Sequence, residues 1–316
     1  MNTILCETNK RNTAWKSFCE VNLSAYRKIL VAPVGHSFAT VAAASSYSGW
    51  LAEIIKTTST GRTYPFKPAA NVKPENQETT YAETQMEGKK KVKSGKEQFT
   101  MEIEANPYVM ERLYTFDGIA CSIYIVDYEE NILGWSVDGT KFNAFSVESL
   151  TINPMTQSDG SNPRYIPVTV TLSNPSEWNK SPMVAKPDAG FVPSELEGLY
   201  DIAVTPTLLA TQAVGTLYVT TEIIGTGRGL TGANNVATTP DFKVTRISTG
   251  VDAVVTAIVE TPAGSGKYAL TISPVLTAGT PYNVYTTAPS LAVSTSVLRT
   301  TLPCESLASA CLSFTV

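Results

Sequence analysis

Residues 165–172 run Tyr165-Ile166-Pro167-Val168-Thr169-Val170-Thr171-Leu172, and residues 119–126 run Ile119-Ala120-Cys121-Ser122-Ile123-Tyr124-Ile125-Val126. The first stretch alternates, with Ile166, Val168, Val170 and Leu172 on one face and Tyr165, Thr169 and Thr171 on the other, the period of a half-buried strand. The second is apolar almost throughout and has the length of a strand. Together they predict a mainly β protein, and the heavy use of threonine, valine and tyrosine points the same way.

Working outward, Leu133–Val137 and Thr140–Phe145 flank Asp138-Gly139, the strongest short hairpin signal in the chain. Val147–Ile152 is a further strand, joined to 165–172 through the turn residues Asp159-Gly160-Ser161-Asn162-Pro163. Ile29-Leu30-Val31-Ala32 is a short apolar strand candidate. One helix is expected over Ser45 to Thr58, because Trp50, Leu51, Ile54 and Ile55 share a helical face, with Gly61 and Pro65 beyond as stop signals.

Residues 71–104 are polar and charged. Thr80–Met86 and Phe99–Ile103 read as two strands around Glu87-Gly88-Lys89-Lys90-Lys91-Val92-Lys93-Ser94-Gly95-Lys96. A projecting hairpin or extended loop over 72–103 is expected, with Lys89, Lys90, Lys91, Lys93 and Lys96 at a basic tip on an acidic stem. Such a tip is either a solvated loop or a docking element for an acidic neighbour, most simply a second copy of the chain.

Residues 174–212 are punctuated by Pro175, Pro182, Pro187, Pro193 and Pro206 and read as a linker or irregular excursion. The expected division is 1–210 and 211–316. The second part has 21 threonines in 106 residues and equal numbers of acidic and basic groups, so the net charge of −4 belongs to the first. Strands recur there at Thr216–Ile224, Asp241–Ile247, Ala253–Glu260, Tyr268–Ile272 and Tyr282–Thr286. That spacing fits a small β-sandwich.

The 316 residues carry 24 basic and 28 acidic side chains, so there is no basic face for general nucleic-acid binding. The single histidine, His36, removes most histidine-based catalysis and metal binding. No metal, cofactor or catalytic residue is expected. Gly227-Arg228-Gly229-Leu230-Thr231-Gly232 fits G-x-G-x-x-G, but Ala233–Pro240 is no helix former, so a glycine-rich loop is the expectation. Asp127, Glu129 and Glu130 read as a solvated turn. Cys6, Cys19, Cys121, Cys304 and Cys311 form no CxxC and read as reduced thiols, with a Cys304–Cys311 pair left open. Neither a signal peptide nor a membrane span is expected.

Several stretches resemble a known family. They are Trp50-Leu51-Ala52-Glu53-Ile54-Ile55, Tyr64-Pro65-Phe66, Asn76–Glu83, Ser94–Phe99, Phe116-Asp117-Gly118 and Leu133-Gly134-Trp135 before the Asp-Gly hairpin. The chain resembles tail tube proteins of tailed phages and prophages of Bacteroidetes-type bacteria. Asp241–Val244, Gly266–Thr271 and Ala278–Val284 resemble the immunoglobulin-like domains appended to phage tail and capsid proteins. The resemblance implies a tail-tube-like β-sandwich or barrel domain followed by an immunoglobulin-like sandwich. It implies rings, usually hexameric, stacked around a channel through which DNA passes without sequence-specific binding. The 72–103 element would reach the adjacent ring, and the partners would be further copies and other phage structural proteins. The location implied is the virion, with assembly in the host bacterial cytoplasm. A capsid-associated or decoration protein stays open as an alternative. So does an adhesin using exposed Tyr218, Tyr268, Tyr282 and Tyr285 on cells or carbohydrate.

Overall fold

A computed structural model describes residues 3–4, 25–56, 58–84, 88–158, 160, 163–198, 200–207, 215–223, 231–232, 242–246, 249–262, 265–274, 276, 281–286, 299–300 and 312–315. The protein is mainly β, with a large antiparallel sheet, smaller sheets, a curled four-strand half-barrel and few short helices. Its contacts divide it into Met1–Leu196 and Glu197–Val316. The division falls earlier than the composition indicated, because Tyr200–Thr207, read from its prolines as linker, is a strand paired within the second unit.

The first unit begins with β1 (Thr3–Ile4), β2 (Tyr26–Ala32) and β3 (Ser37–Phe38). Two helices follow, α1 (Val41–Ser45) and α2 (Tyr47–Ile54). The helix expected over 45–58 is α2, shorter at its C-terminal end, and α1 before it was not expected. Thr40 caps the first by accepting from the Ala43 N–H, and Ser46 caps the second by accepting from the Gly49 N–H. A Cβ on Gly49 would lie 2.0 Å from the Ala43 carbonyl oxygen, so only glycine permits this close turn.

Next come β4 (Tyr64–Pro65), β5 (Asn71–Pro74), β6 (Thr80–Thr84), β7 (Gly88–Lys93) and β8 (Gln98–Glu104). Then follow α3 (Pro107–Tyr114), β9 (Ser122–Asp127), β10 (Ile132–Trp135), β11 (Phe142–Asn143), β12 (Phe145–Ile152), β13 (Tyr165–Leu172), α4 (Pro175–Lys180) and β14 (Pro182–Ala185). The helices α3 and α4 were not expected. Each starts on Asn-Pro, with Asn106 or Asn174 as the cap and proline in the first turn. Proline there loses only an N–H that a helix start leaves unpaired anyway.

The sheet runs β1-β14-β10-β9-β12-β13-β8-β5, with β2 also on β9. Strand β12 turns the corner. Phe145 and Ser146 pair with β9, the register shifts between Val147 and Ser149, and the rest pairs with β13. A bulge of this kind lets one strand serve two sheets. Both sides of the corner feed one core of Ile29, Val31, Phe99, Met101, Ile123, Ile125, Leu150, Ile166, Val168 and Val170. The four alternating positions of β13 are 0–2 % exposed, as their period requires. Strand β9 is buried on both faces. Its other face presents Tyr124, stacked on Phe142 at 5.4 Å and edge-on to Trp50 at 5.1 Å.

The Asp138-Gly139 segment is not a tight hairpin. Strands β10 and β11 share only the pair Trp135–Asn143, and β10 pairs instead with β9 and β14. Asp138 closes the loop by accepting from the Thr140 and Lys141 N–H groups and the Ser136 hydroxyl.

The second unit holds β15 (Tyr200–Thr207), β16 (Thr216–Ile223), β17 (Thr231–Gly232), β18 (Phe242–Arg246), β19 (Asp252–Glu260), β20 (Lys267–Ser273), β21 (Pro281–Thr286), β22 (Arg299–Thr300) and β23 (Leu312–Thr315). Its order is β22-β15-β16-β20-β19-β18-β21-β23, with β17 on β16. Strand β19 repeats the device of β12: Asp252 and Ala253 pair with β18, and Val254 to Glu260 pair with β20, with a register shift between Val255 and Ala257. Leu217, Val219, Val244, Tyr268, Leu270, Ile272 and Val284 form its core.

Candidate self-association surface

The segment singled out by its lysines is a ribbon in two parts. Its stem is β5 against β8, extended by backbone bonds from the Glu75 N–H to the Gln98 carbonyl (2.8 Å) and from the Gln77 N–H to the Lys96 carbonyl (2.9 Å). Beyond the stem, β6 and β7 pair only with each other. The expected partners were Thr80–Met86 and Phe99–Ile103. The structure instead pairs β6 with the lysine segment and gives Phe99–Ile103, wholly or nearly buried at Phe99, Met101 and Ile103, to the core. The apolar period of that strand binds it to the sheet, and the polar segment before it is left to close on its nearest neighbour in sequence.

Gly95 sits at the junction. A Cβ there would lie 2.2 Å from the Gln77 carbonyl oxygen, so the two chains cross at a distance that excludes any side chain. The Gly95 N–H donates to the Thr79 hydroxyl at 3.1 Å.

The five lysines do not share one environment. Lys89, Lys90, Lys91 and Lys93 lie on strand β7, not in a loop tip, facing Glu83, Ala82, Tyr81 and Thr80 in the register of the hairpin. Lys90, Lys91 and Lys93 are exposed, and the Lys89 side chain is outside the described residues. Lys96 is different. Its ammonium pairs with Glu148 at 2.5 Å and its side chain is 15 % exposed, so it ties the stem to β12. Tyr81 and Val92 stand out on the hairpin at 56 % and 65 % exposure. The register shift between Thr80 and Tyr81 makes Val92 the extra residue.

The other sequence candidates resolve into structural roles. His36 is inside: Nε2 lies 2.8 Å from Glu53 Oε2 and Nδ1 lies 3.0 Å from the Tyr124 hydroxyl, with the Phe38 and Tyr124 rings edge-on. Burial would raise the Glu53 carboxyl, but its bonds to Lys56 and His36 outweigh that and hold it below its ordinary range. Burial pushes the Tyr124 hydroxyl far above the usual tyrosine range. The group therefore joins β9 to α2 and the loop after β2 as a buried polar brace.

The Asp127–Asn131 turn is solvated only in part: Tyr128 and Glu129 are exposed, as expected of Glu129, but Asp127 and Glu130 are not. Asp127 is fully buried and accepts from the Asn131 N–H at 2.8 Å and the Asn131 side-chain amide at 3.0 Å. Glu130, at φ 63°, accepts from the Ser194 N–H at 2.8 Å and the Ser194 hydroxyl at 2.7 Å, and pairs with Arg27. Buried Lys28 donates to the carbonyls of Ser194 and Leu196. Together they pin the end of the first unit to β2. Sequence showed the acidic cluster but not its partner, because Ser194 lies 64 positions away.

Among the described residues no group of three or more His, Cys, Asp or Glu could hold a metal ion, and no helix is long and apolar enough to cross a membrane. Cys121 is buried and free, its thiol pushed up to about 11 by burial. Cys6, Cys19, Cys304 and Cys311, and Gly227–Leu230 of the glycine motif, lie outside the described residues; Thr231–Gly232 is a strand on β16. Of the tyrosines considered for an adhesin face, Tyr268 and Tyr282 are core residues, Tyr218 is partly exposed, and the side chain of Tyr285 is outside the described residues. No protein-family model and no curated protein matches the chain.

Proposed function

We propose that the chain is a structural, non-enzymatic virion protein: a tail tube subunit that assembles with its own copies into stacked rings forming a conduit for DNA. In this proposal the first unit is the tail-tube-like assembly domain, and the second is an immunoglobulin-like domain on the outside. The observation that carries it is the β6–β7 hairpin. It pairs with no other strand among the described residues, exposes Tyr81 and Val92, and sets four lysines against one glutamate.

A two-stranded ribbon is marginal by itself in water. Burying Tyr81 and Val92 against a second copy would stabilise the assembly by roughly 1.5–3 kcal/mol for each fully covered side chain. The lysines favour an acidic receiving surface, and the first part of the chain carries the acidic excess. Attraction between such patches speeds docking and fixes its register.

The test is negative-stain electron microscopy of the purified chain together with its mass by light scattering. Tubes or stacked rings with a central hole are expected. A stable monomer or trimer would favour a decoration or adhesin role instead. Replacing Lys89, Lys90 and Lys91 together with Glu should weaken ring stacking and leave the fold intact; normal assembly of that variant at physiological salt would remove the hairpin from the contact.

A further inference from the structure

The two ends of the long strand path of the first unit's sheet are unlike. One edge is β5, whose residues Asn71, Lys73 and Pro74 are exposed. Proline offers no N–H to a newcomer, and Lys73 is held in an ion pair with Glu102. Charge and proline are the usual protection of a strand edge against pairing. The other edge is β14, where Met183, Val184 and Ala185 are buried and carry no charge. It pairs with β10 over four residues, and among the described residues its second side is closed by β1 alone, through Thr3–Ala185 and Ile4–Val184.

That closure is slight, and the sequence between it and β2 is long. Two register pairs hold β1, and 21 residues separate Ile4 from Tyr26 of β2. Fully extended, a segment of that length spans at most roughly 70–75 Å. A folded unit of this size has a radius of gyration of about 16 Å, so a link of that many residues is long enough for β1 to meet the β14 edge of an adjacent copy.

We propose that the β14 edge is an exchange site whose occupant, in the assembled state, is the Thr3–Ile4 strand of a second copy. This rests on the self-assembly argued above. Exchange changes no pairing: each β14 still receives the same two residues, so it costs little, as in other swaps of identical elements. In a dispersed chain the strand's own tether makes self-pairing the favoured state. Inside a ring the neighbour's edge stands at a similar effective concentration, and each exchanged strand adds a link between copies.

The test uses two chains in which Cys6, Cys19, Cys304 and Cys311 are replaced by Ser and buried Cys121 is kept. One carries Thr3→Cys. The other carries Ala185→Cys and a tag that changes its size. They are mixed, oxidised and run without reductant, with light scattering and microscopy in parallel. Residues directly opposite in an antiparallel pair lie within disulfide reach, so a mixed product reports exchange, since neither chain carries both thiols. Thr3→Cys mixed with Ser181→Cys, off the register, measures random collision. The mixed band should exceed that control by about tenfold or more, given the narrow geometry a disulfide accepts.

Rings without a mixed band above the control would overturn the exchange and leave the tube proposal standing. A mixed band from small oligomers without rings would keep the exchange and overturn the tube. Monomers with no mixed band would overturn both. If the Ala185 variant loses its thermal transition, the second register pair, Ile4→Cys with Val184→Cys, gives the same decision.

Discussion

Two charged segments of the first unit have opposite fates. Asp127–Asn131 and the lysine segment of 89–96 both read in sequence as polar turns. In the structure the ends of the first, Asp127 and Asn131, are buried, and the carboxylates of Asp127 and Glu130 accept from Asn131, Ser194 and Arg27. The second stands on a ribbon where Lys90, Lys91 and Lys93 face solvent. The difference lies in what surrounds them. Buried charge is tolerated only where backbone and side-chain partners complete its bonds. Asp127 finds its partners locally in Asn131, and Glu130 finds its own in Arg27 and the distant Ser194; at 90–93 nothing in the described residues does this.

The largest expected effect breaks the satisfied side of this contrast. Glu130→Ala strands the Ser194 N–H and hydroxyl and the Arg27 guanidinium at once. It should destabilise the first unit by about 2–3 kcal/mol, read as a lower urea midpoint with unchanged slope. A loss under ~0.5 kcal/mol would mean that water replaces the carboxylate and that the turn is a surface feature after all.

Gly95→Ala tests how firmly the ribbon is held. The new methyl meets the Gln77 carbonyl, which is backbone and cannot rotate away. A local cost of roughly 1–3 kcal/mol is expected. It should appear as faster hydrogen exchange of the Glu75 and Gln77 amides, with the amides of β9 unchanged. Unaltered protection at Glu75 and Gln77 would show that the stem bends freely.

A smaller effect follows from acid. The bond to Lys73 holds Glu102 below the ordinary carboxylate range, and Lys56 and His36 do the same for Glu53 against its burial. Backbone bonds from Thr140 and Lys141 lower Asp138 further. Groups lowered on folding contribute stability that is present above their unfolded values and lost as pH falls through the folded ones. Glu97, raised by burial, acts in the opposite sense. The melting temperature should therefore fall below about pH 4.5, and Glu53→Gln should make that fall shallower. An unchanged slope in the variant would show that the brace around His36 carries no pH dependence.

The smallest effect on the fold is expected on the exposed side. Lys90→Glu with Lys91→Glu should shift the urea midpoint by no more than ~0.5 kcal/mol, since neither lysine is buried. The same variant should lower the sedimenting fraction at low salt more than at high salt, where screening already weakens such contacts. A large stability loss would place these lysines in intramolecular pairs and remove the contrast.

Much of the architecture was legible along the chain. Strand β13 announced itself by period, and β16, β18, β19, β20 and β21 lie within a residue or two of where spacing put them. What failed has particular causes. Pro175 was taken as part of a linker although Asn-Pro is also how a helix begins, so α4 was missed, and the Asn106-Pro107 start of α3 was not read at all. Asp138-Gly139 marked a turn correctly, but β10 gains more from β9 and β14 than from β11. Lys96 could not be told from its neighbours by composition, because Glu148, its partner, lies on another strand.

Sequence by itself determined the class of the protein, the buried face of β13, several of the turns and the cluster of lysines. These follow from local periods and from residues whose backbone preferences are their own. Tertiary structure alone decided which strands are neighbours, that β12 and β19 each serve two partners through a shifted register, and which charges are satisfied. Those outcomes depend on groups far apart in the chain, since burial and a distant bonding partner set the free energy of a charged side chain, and no local pattern encodes either.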